Sequence, residues 1–208
     1  MKVRISLLIL LLISSFGVVC AVTGVFEPTE LKIASLINPN SSKNAVFGFF
    51  TWLGSTKPTI GILAILLLLP TRKRIGLPAT VTVISTLICN EIIKAIIKRQ
   101  RPLERLLEID GYSFPSGHAM TAAALYMTVM FALFRICKYR WQKVLSVCIS
   151  GIIPFMIGIS RIYFNVHFAS DVITGWCLGT AIAVIFDVVF DNIRKKQKAK
   201  KSDESNRS

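Results

Sequence analysis

Several stretches of this chain are apolar over about the length of a membrane-crossing helix, with few charges inside them. That pattern leaves the backbone little choice. A segment in hydrocarbon must satisfy its own N–H and C=O groups, and a helix does so within itself. The runs are Ile5 to Val25, Thr56 to Pro70, Gly76 to about Ile97, Ala119 to Cys137, Val144 to Ile159 and His167 to Phe190. The second is short for a span at fifteen residues, and Pro154 predicts a kink in the fifth. A hydrophobic content of 53% and a mean hydropathy of +0.60 exclude an ordinary soluble domain. The fold expected is all-α, an integral membrane bundle of six transmembrane helices formed by residues 1–193. Residues 26–57 form its first outer loop, with short interfacial helices where Phe47, Phe49, Phe50 and Trp52 anchor. The first run follows Lys2 and Arg4 like a signal peptide, and Cys20 resembles a lipoprotein cleavage site. Val19 is a poor small residue there and the apolar run continues past it, so the segment reads as a retained span.

The net charge of +14 is spread unevenly. Lys2 and Arg4, the turn Arg72-Lys73-Arg74, the stretch from Arg135 to Lys143 and the tail from Arg194 hold most of the 25 basic residues. Six spans put both termini on one side, and the positive-inside rule makes that side cytoplasmic. The other side carries an exception in Lys94, Lys98, Arg99, Arg101 and Arg105, which a functional demand for cations explains. The tail, residues 194–208, reads as a disordered, solvated basic segment. Its place after a final span favours weak attraction to anionic headgroups over nucleic-acid binding. The five cysteines lack metal-ligand spacing and read as small buried hydrophobes.

Three polar strings interrupt this apolar background, and they hold both histidines of the chain. The first is Lys94, Arg101 and Pro102, a K-x6-RP pattern at the outer end of the third run. Lys94 and Arg101 are about two helical turns apart and can share a face. Alone, Lys94 can equally snorkel to the headgroups or pair with Glu91. The second is Pro115-Ser116-Gly117-His118, immediately before an apolar helix. Helix-start N–H groups, a Ser116 hydroxyl and the close approach that Gly117 allows suit a phosphate. A plain capping turn with an interfacial histidine has the same appearance. The third, Ser160-Arg161, His167 and Asp171, is the most specific. Asp171 follows His167 by four residues, so both project from one helix face. The carboxylate can accept Nδ1–H and leave Nε2 as a nucleophile, or the pair can be a structural hydrogen bond. Arg161 offers a two-pronged guanidinium to phosphate oxygens.

In this order the three strings resemble the type-2 phosphatidic acid phosphatase superfamily, over roughly residues 50–190 with the core motifs in 90–175. Tyr112-Ser113-Phe114 ahead of Pro115, and Tyr163 within the third string, extend the likeness. Asn165 departs from it, since many members carry glycine there. The resemblance implies an integral membrane lipid phosphatase that needs no cofactor and no metal. It implies that His167 attacks phosphorus to form a phosphohistidine, that Asp171 orients it, and that His118 protonates the leaving oxygen and then activates water. Lys94, Arg101 and Arg161 would hold the equatorial oxygens, assisted by Ser116 and the Gly117 N–H. The chain looks most like small bacterial members acting on undecaprenyl diphosphate, phosphatidylglycerol phosphate or phosphatidic acid. The expected partners are the bilayer and a lipid phosphate, with the site on the outer face of the cell membrane. The alternatives are a lipid phosphotransferase with the same site and a non-catalytic lipid-phosphate binder or transporter. Against the last stands a histidine with an orienting carboxylate, which binding alone does not require.

Overall fold

A computed structural model of the chain describes residues 2–38 and 44–205. Pro39 and Lys43 of the first loop and Arg207 of the tail lie outside the described residues. The described elements are eight α-helices and no strand: α1 (Lys2–Thr23), α2 (Glu27–Ile37), α3 (Ala45–Leu53), α4 (Thr56–Leu68), α5 (Gly76–Ile97), α6 (Gly117–Ile136), α7 (Arg140–Tyr163) and α8 (Ala169–Ser205). Four of them, α5 to α8, are long and apolar enough to cross a membrane by themselves. The pairs α1–α2 and α3–α4, bent by 104° and 55°, pass the same test only when taken together, which gives four to six spans. The short second run is thereby completed by α3, whose aromatic segment belongs to a bent pair with α4. α2 is a short helix in the segment after the first apolar run, as expected, and turns off α1 by 104°.

Pro154 sits inside α7 without ending it. Its carbonyl accepts from Trp176 Nε1 on α8 at 3.0 Å. The basic tail differs from expectation: α8 continues as helix to Ser205. Lysine and glutamate are good helix formers, and Lys195 pairs with Asp191 one turn away at 2.9 Å. A helix already nucleated in the membrane needs only such propagation to extend into the polar region. Cys20 and Cys177 are buried as expected, but Cys148 is exposed on the outside of α7.

Without a strong hydrophobic drive between helices, close approach of small residues holds a membrane bundle together. α6 forms the centre, packed against α5, α7 and α8. Its Ala119, Ala122, Ala123 and Ala124 are all buried. Facing them on α8, a Cβ at Gly179 would collide with the Met120 carbonyl, and one at Gly175 would lie 2.8 Å from the Ser116 carbonyl oxygen. On α1, a Cβ at Gly17 would collide with Thr174 Oγ1 of α8.

The up-and-down course brings the C-terminal ends of α5 and α7 and the N-terminal ends of α6 and α8 to one end of the bundle. The loops 98–116 and 164–168 join them there. All three polar strings therefore meet at this end. The basic turns at 71–74 and 137–139 lie at the other. There Arg135 Nη2 donates to Asp187 Oδ2 at 2.6 Å, clasping α6 to α8.

Candidate active site

Asp171, in the first turn of α8, is fully buried and shared by four donors. Arg99 Nη1 reaches its Oδ1 at 2.8 Å. Its Oδ2 accepts from the Phe168 N–H at 2.9 Å, from Ser113 Oγ, and from the side of His167 at 3.4 Å to Nδ1. α8 begins only at Ala169, so His167 stands in the bend before the helix and not on one helix face with Asp171 as the spacing suggests. The loop 164–168 delivers the ring from just before the helix.

The other ring nitrogen meets a cation. Arg101 Nη1 lies 3.1 Å from His167 Nε2. A guanidinium only donates, so Nε2 must be the acceptor and the ring proton belongs on Nδ1, towards Asp171. Burial pushes the His167 imidazole down to about 4, with Arg161 and Arg101 adding to that and Asp171 opposing it. The ring is therefore neutral at pH 7, with its lone pair turned towards Arg101. Three carbonyls hold Arg101 in place: Val166 O at 2.8 Å, Gly111 O at 3.0 Å and Asp110 O at 3.3 Å. These contacts leave the guanidinium little freedom, so it presents a fixed positive charge at the Nε2 side of the imidazole.

The turn before α6 closes on the same place. Ser116 N donates to the Asp171 carbonyl at 3.0 Å, tying the second string to the third. Ser116 occupies the N-cap position of α6, yet its hydroxyl makes no capping bond. The buried Oγ has no hydrogen-bond partner among the described residues and can still donate to a ligand. Asn90 on α5 supports the turn by donating to the Pro115 carbonyl at 3.2 Å. A Cβ at position 117 would press on Asn90 Oδ1 at 3.1 Å and stand in ordinary contact with Lys94 Nζ at 3.8 Å. Lys94 also lies 3.3 Å from Glu91 Oε1, so it keeps the local partner the sequence allows. Glu91 is exposed and the pair is weak. His118 opens the first turn of α6, and the charges of Arg161, Lys94 and Arg101 and the ring of His167 all act on it. Gly54, after α3, makes room for it, because a Cβ there would stand 3.2 Å from His118 Cδ2.

Arg161, at the end of α7, is 1% exposed. Its Nη1 donates to Thr51 Oγ1 on α3 at 2.8 Å, and Ser160 Oγ reaches the same hydroxyl at 3.0 Å. Its Nε has no partner among the described residues. A buried guanidinium with a spare N–H is the donor an anion needs. Asn165, the departure from the family pattern, has φ of +50°, which explains why glycine suits that place and why asparagine is tolerated. Its Nδ2 donates to the Glu104 carbonyl at 2.9 Å.

All eight residues picked from the sequence therefore gather at one end of the bundle. Reasoning from sequence missed the groups that hold them. Arg99 was visible only as one of five outer cations. Ser113 entered only through the family likeness and without a role, Asn90 and Thr51 carried no signal of their own, and Thr51 sits within an aromatic stretch that reads as an interfacial belt. No group of three or more His, Cys, Asp or Glu among the described residues has the arrangement of a metal site.

Known proteins resemble the chain in sequence and in fold. The sequence pattern of the PAP2 superfamily matches residues 75–195. Phosphatidylglycerophosphatase B of Bacillus subtilis is 35% identical over 112 residues, 51% of this chain and 55% of that protein. The chain thus spans about half the length of that relative. An undecaprenyl-diphosphatase of Sulfolobus acidocaldarius is 27% identical over 165 residues, 75% of this chain and 76% of the other. Among solved structures, a transmembrane PAP2 type phosphatidylglycerolphosphate phosphatase from Bacillus subtilis superposes with a TM-score of 0.83 at 25% identity. That match covers 90% of this chain and 97% of the other. With the matched segment holding every polar string and the bundle shared almost end to end, this multi-pass membrane chain belongs to the PAP2 superfamily.

Proposed function

We propose that the chain is a membrane phosphatase that hydrolyses a lipid phosphate or diphosphate through a phosphohistidine on His167. The observation that carries this reading is Arg101 Nη1 at 3.1 Å from His167 Nε2. A neutral imidazole with its lone pair held against a fixed cation is arranged to meet an anionic electrophile.

The chemistry follows from the groups present. A phosphate entering the site takes over the Arg101 Nη1 donor, so the guanidinium passes from Nε2 to an equatorial oxygen. Arg161 Nε, Ser116 Oγ and Lys94 Nζ offer further donors to those oxygens. Nε2 attacks phosphorus in line, the P–N bond forms and the P–O bond to the lipid breaks. His118 gives its proton to the leaving oxygen. In the second half His118 takes a proton from water, the water oxygen attacks phosphorus, and the P–N bond breaks to release inorganic phosphate. Asp171 holds Nδ1–H throughout and stabilises the positive charge that develops on the ring. Charge on the non-bridging oxygens is met by three cations, so positioning and electrostatics supply the catalysis.

The site lies at the bundle end opposite the basic turns. By the positive-inside rule those turns and both termini face the cytoplasm, and the site faces outward. An outward site suits undecaprenyl diphosphate released during wall synthesis and phosphatidylglycerol phosphate that has crossed the bilayer. We rank these two nearly equal, with phosphatidic acid third, and the names of the two relatives support the same pair. The test is phosphate release by the detergent-purified full chain from the three lipids in parallel. Release from at least one, lost in His167→Ala, is the expected result, and the fastest substrate decides the ranking. A folded protein that releases phosphate from none, or passes it to a second lipid, contradicts hydrolysis.

A further inference from the structure

Behind Asp171 lies a charged cluster that none of the three strings contains. Arg99 is buried among three carboxylates from two parts of the chain, the third being the exposed Glu27, whose Oε1 lies 3.5 Å from Nη2. Its Nη1 lies 2.8 Å from Asp171 Oδ1 and 2.8 Å from Ser170 Oγ. Its Nη2 lies 2.8 Å from Glu30 Oε2, and Cζ is 3.9 Å from the centroid of the Phe168 ring. Glu30 belongs to α2, the short helix that turns off α1, and is only 6% exposed. Its other oxygen, Oε1, accepts from the Ser170 N–H at 2.7 Å. A carboxylate 141 positions upstream is thereby joined through one guanidinium to the acid behind His167.

The net charge of this cluster gives it a role beyond packing. Arg99 with Asp171 alone would be neutral, and the guanidinium would draw the carboxylate's charge away from Nδ1–H. Glu30 restores one buried negative charge to the group, and Glu27 adds a second that its exposure lets water screen. Burial alone would lower the Arg99 pKa, but Asp171 and Glu30 outweigh it, so the guanidinium is securely charged. The imidazole becomes positive when Nε2 bonds to phosphorus while Nδ1 keeps its proton. A net negative cluster behind it stabilises that change, and the Arg99 fork turns Asp171 Oδ2 towards the ring.

The geometry points to Arg99 and Glu30 as positioning residues for the reaction: Arg99 fixes Asp171, and Glu30 offsets the charge of Arg99 and ties α2 to the nucleophile. This rests on the reading of His167 as the nucleophile. The charged and titratable groups facing His167 are Asp171 on α8, Arg101 in the 98–116 loop, Arg161 on α7 and His118 on α6. Glu30 and Arg99 act on the ring through Asp171.

The test uses the detergent-purified full chain and the lipid that wild type hydrolyses fastest. Glu30→Gln keeps the shape and an acceptor for Ser170 N–H while removing the charge. It should lower kcat about tenfold, less than the ~10²–10³ of a group touching the reacting atoms, with KM little changed. It should also move the acid limb of kcat/KM to lower pH, because the ring loses negative charge behind it. Glu30→Asp should recover part of kcat and return the limb. Wild-type kcat with an unmoved limb in folded Glu30→Gln overturns the proposal, and so does a raised KM with unchanged kcat. Should Glu30→Gln fail to fold, Arg99→Lys keeps the central charge but loses the two-ended grip. It must lower kcat with KM retained, and a wild-type kcat there overturns the proposal. His167→Ala run alongside separates the failures. Turnover surviving in it overturns the nucleophile reading together with this one, whereas a dead His167→Ala beside a fully active Glu30→Gln overturns only the role of Glu30 and Arg99.

Discussion

The Arg101 guanidinium and the His167 imidazole meet at 3.1 Å, donor to Nε2, while three backbone carbonyls hold the arginine from behind. The contact assigns the ring tautomer and the direction from which an anion approaches. Lysine cannot reproduce it, because one compact ammonium cannot span three carbonyls and the ring at once. Arg101→Lys should therefore lower kcat/KM by about 10²-fold, the cost of losing an oriented donor to developing charge. Steady-state phosphate release with folding checked in parallel measures it. Wild-type kinetics would show that the contact is incidental.

The His167 imidazole titrates near 4 rather than at its ordinary value of about 6.5. Its folded pKa lies below the unfolded one, so between 6.5 and 4 the unfolded chain binds the extra proton. The stability from the buried neutral ring is complete above 6.5 and is lost as pH falls towards 4. A chemical-shift titration of labelled histidine in the His118→Asn background should give a midpoint near 4. A midpoint near 6.5 would mean that the ring is solvated and not held as described.

Lys94, Arg101 and Arg161 bring three positive charges to one seat, which is what a metal would otherwise supply to a phosphoryl group. Activity should persist in excess chelator. Loss in EDTA with recovery on adding magnesium would contradict a site run by side-chain cations alone.

Packing at the centre of the bundle makes a separate prediction. Gly179→Val places a side chain into the Met120 carbonyl of α6, whereas Gly61→Ala on α4 meets nothing within 4 Å. The first should destabilise the protein by about 1–3 kcal/mol, the usual cost of overpacking. The second should be nearly neutral or slightly stabilising, since alanine favours helix over glycine. Thermal unfolding in detergent compares them. Equal midpoints would show that α6 and α8 do not pack as closely as the structure has them.

The His167–Asp171 pairing could be read from their nearness in the chain, but the helix-face geometry could not: α8 begins at Ala169, and the bend before it brings the ring to Asp171 Oδ2, which also accepts from the Phe168 N–H. Ser116 and Gly117 could be read as a helix start because they precede an apolar run. Glu30 and Arg99 were not legible in this way. Sixty-nine positions separate them, and only the fold of α2 over the bundle end joins them. Thr51 was hidden for a different reason. Aromatic neighbours from Phe47 to Trp52 dominate its stretch, and nothing local marks the hydroxyl that meets Arg161. The length of α8 was misread because a dense run of charge resembles disorder, while the same lysines and glutamates propagate a helix once the membrane segment has started it. The second span was obscured by its bend, since α3 and α4 each fall short of a crossing and only together suffice.

The central claim is a covalent phosphate on Nε2 of His167, and rapid-quench trapping with labelled lipid substrate tests it most directly. Label should appear on the protein within the first turnover, survive base, be lost in acid, and map to His167. It should be absent from His167→Ala and accumulate in His118→Ala if the second step is slowed more than the first. A wild-type protein that turns over with no protein-bound phosphate, or a folded His167→Ala that still hydrolyses the lipid, would contradict the account.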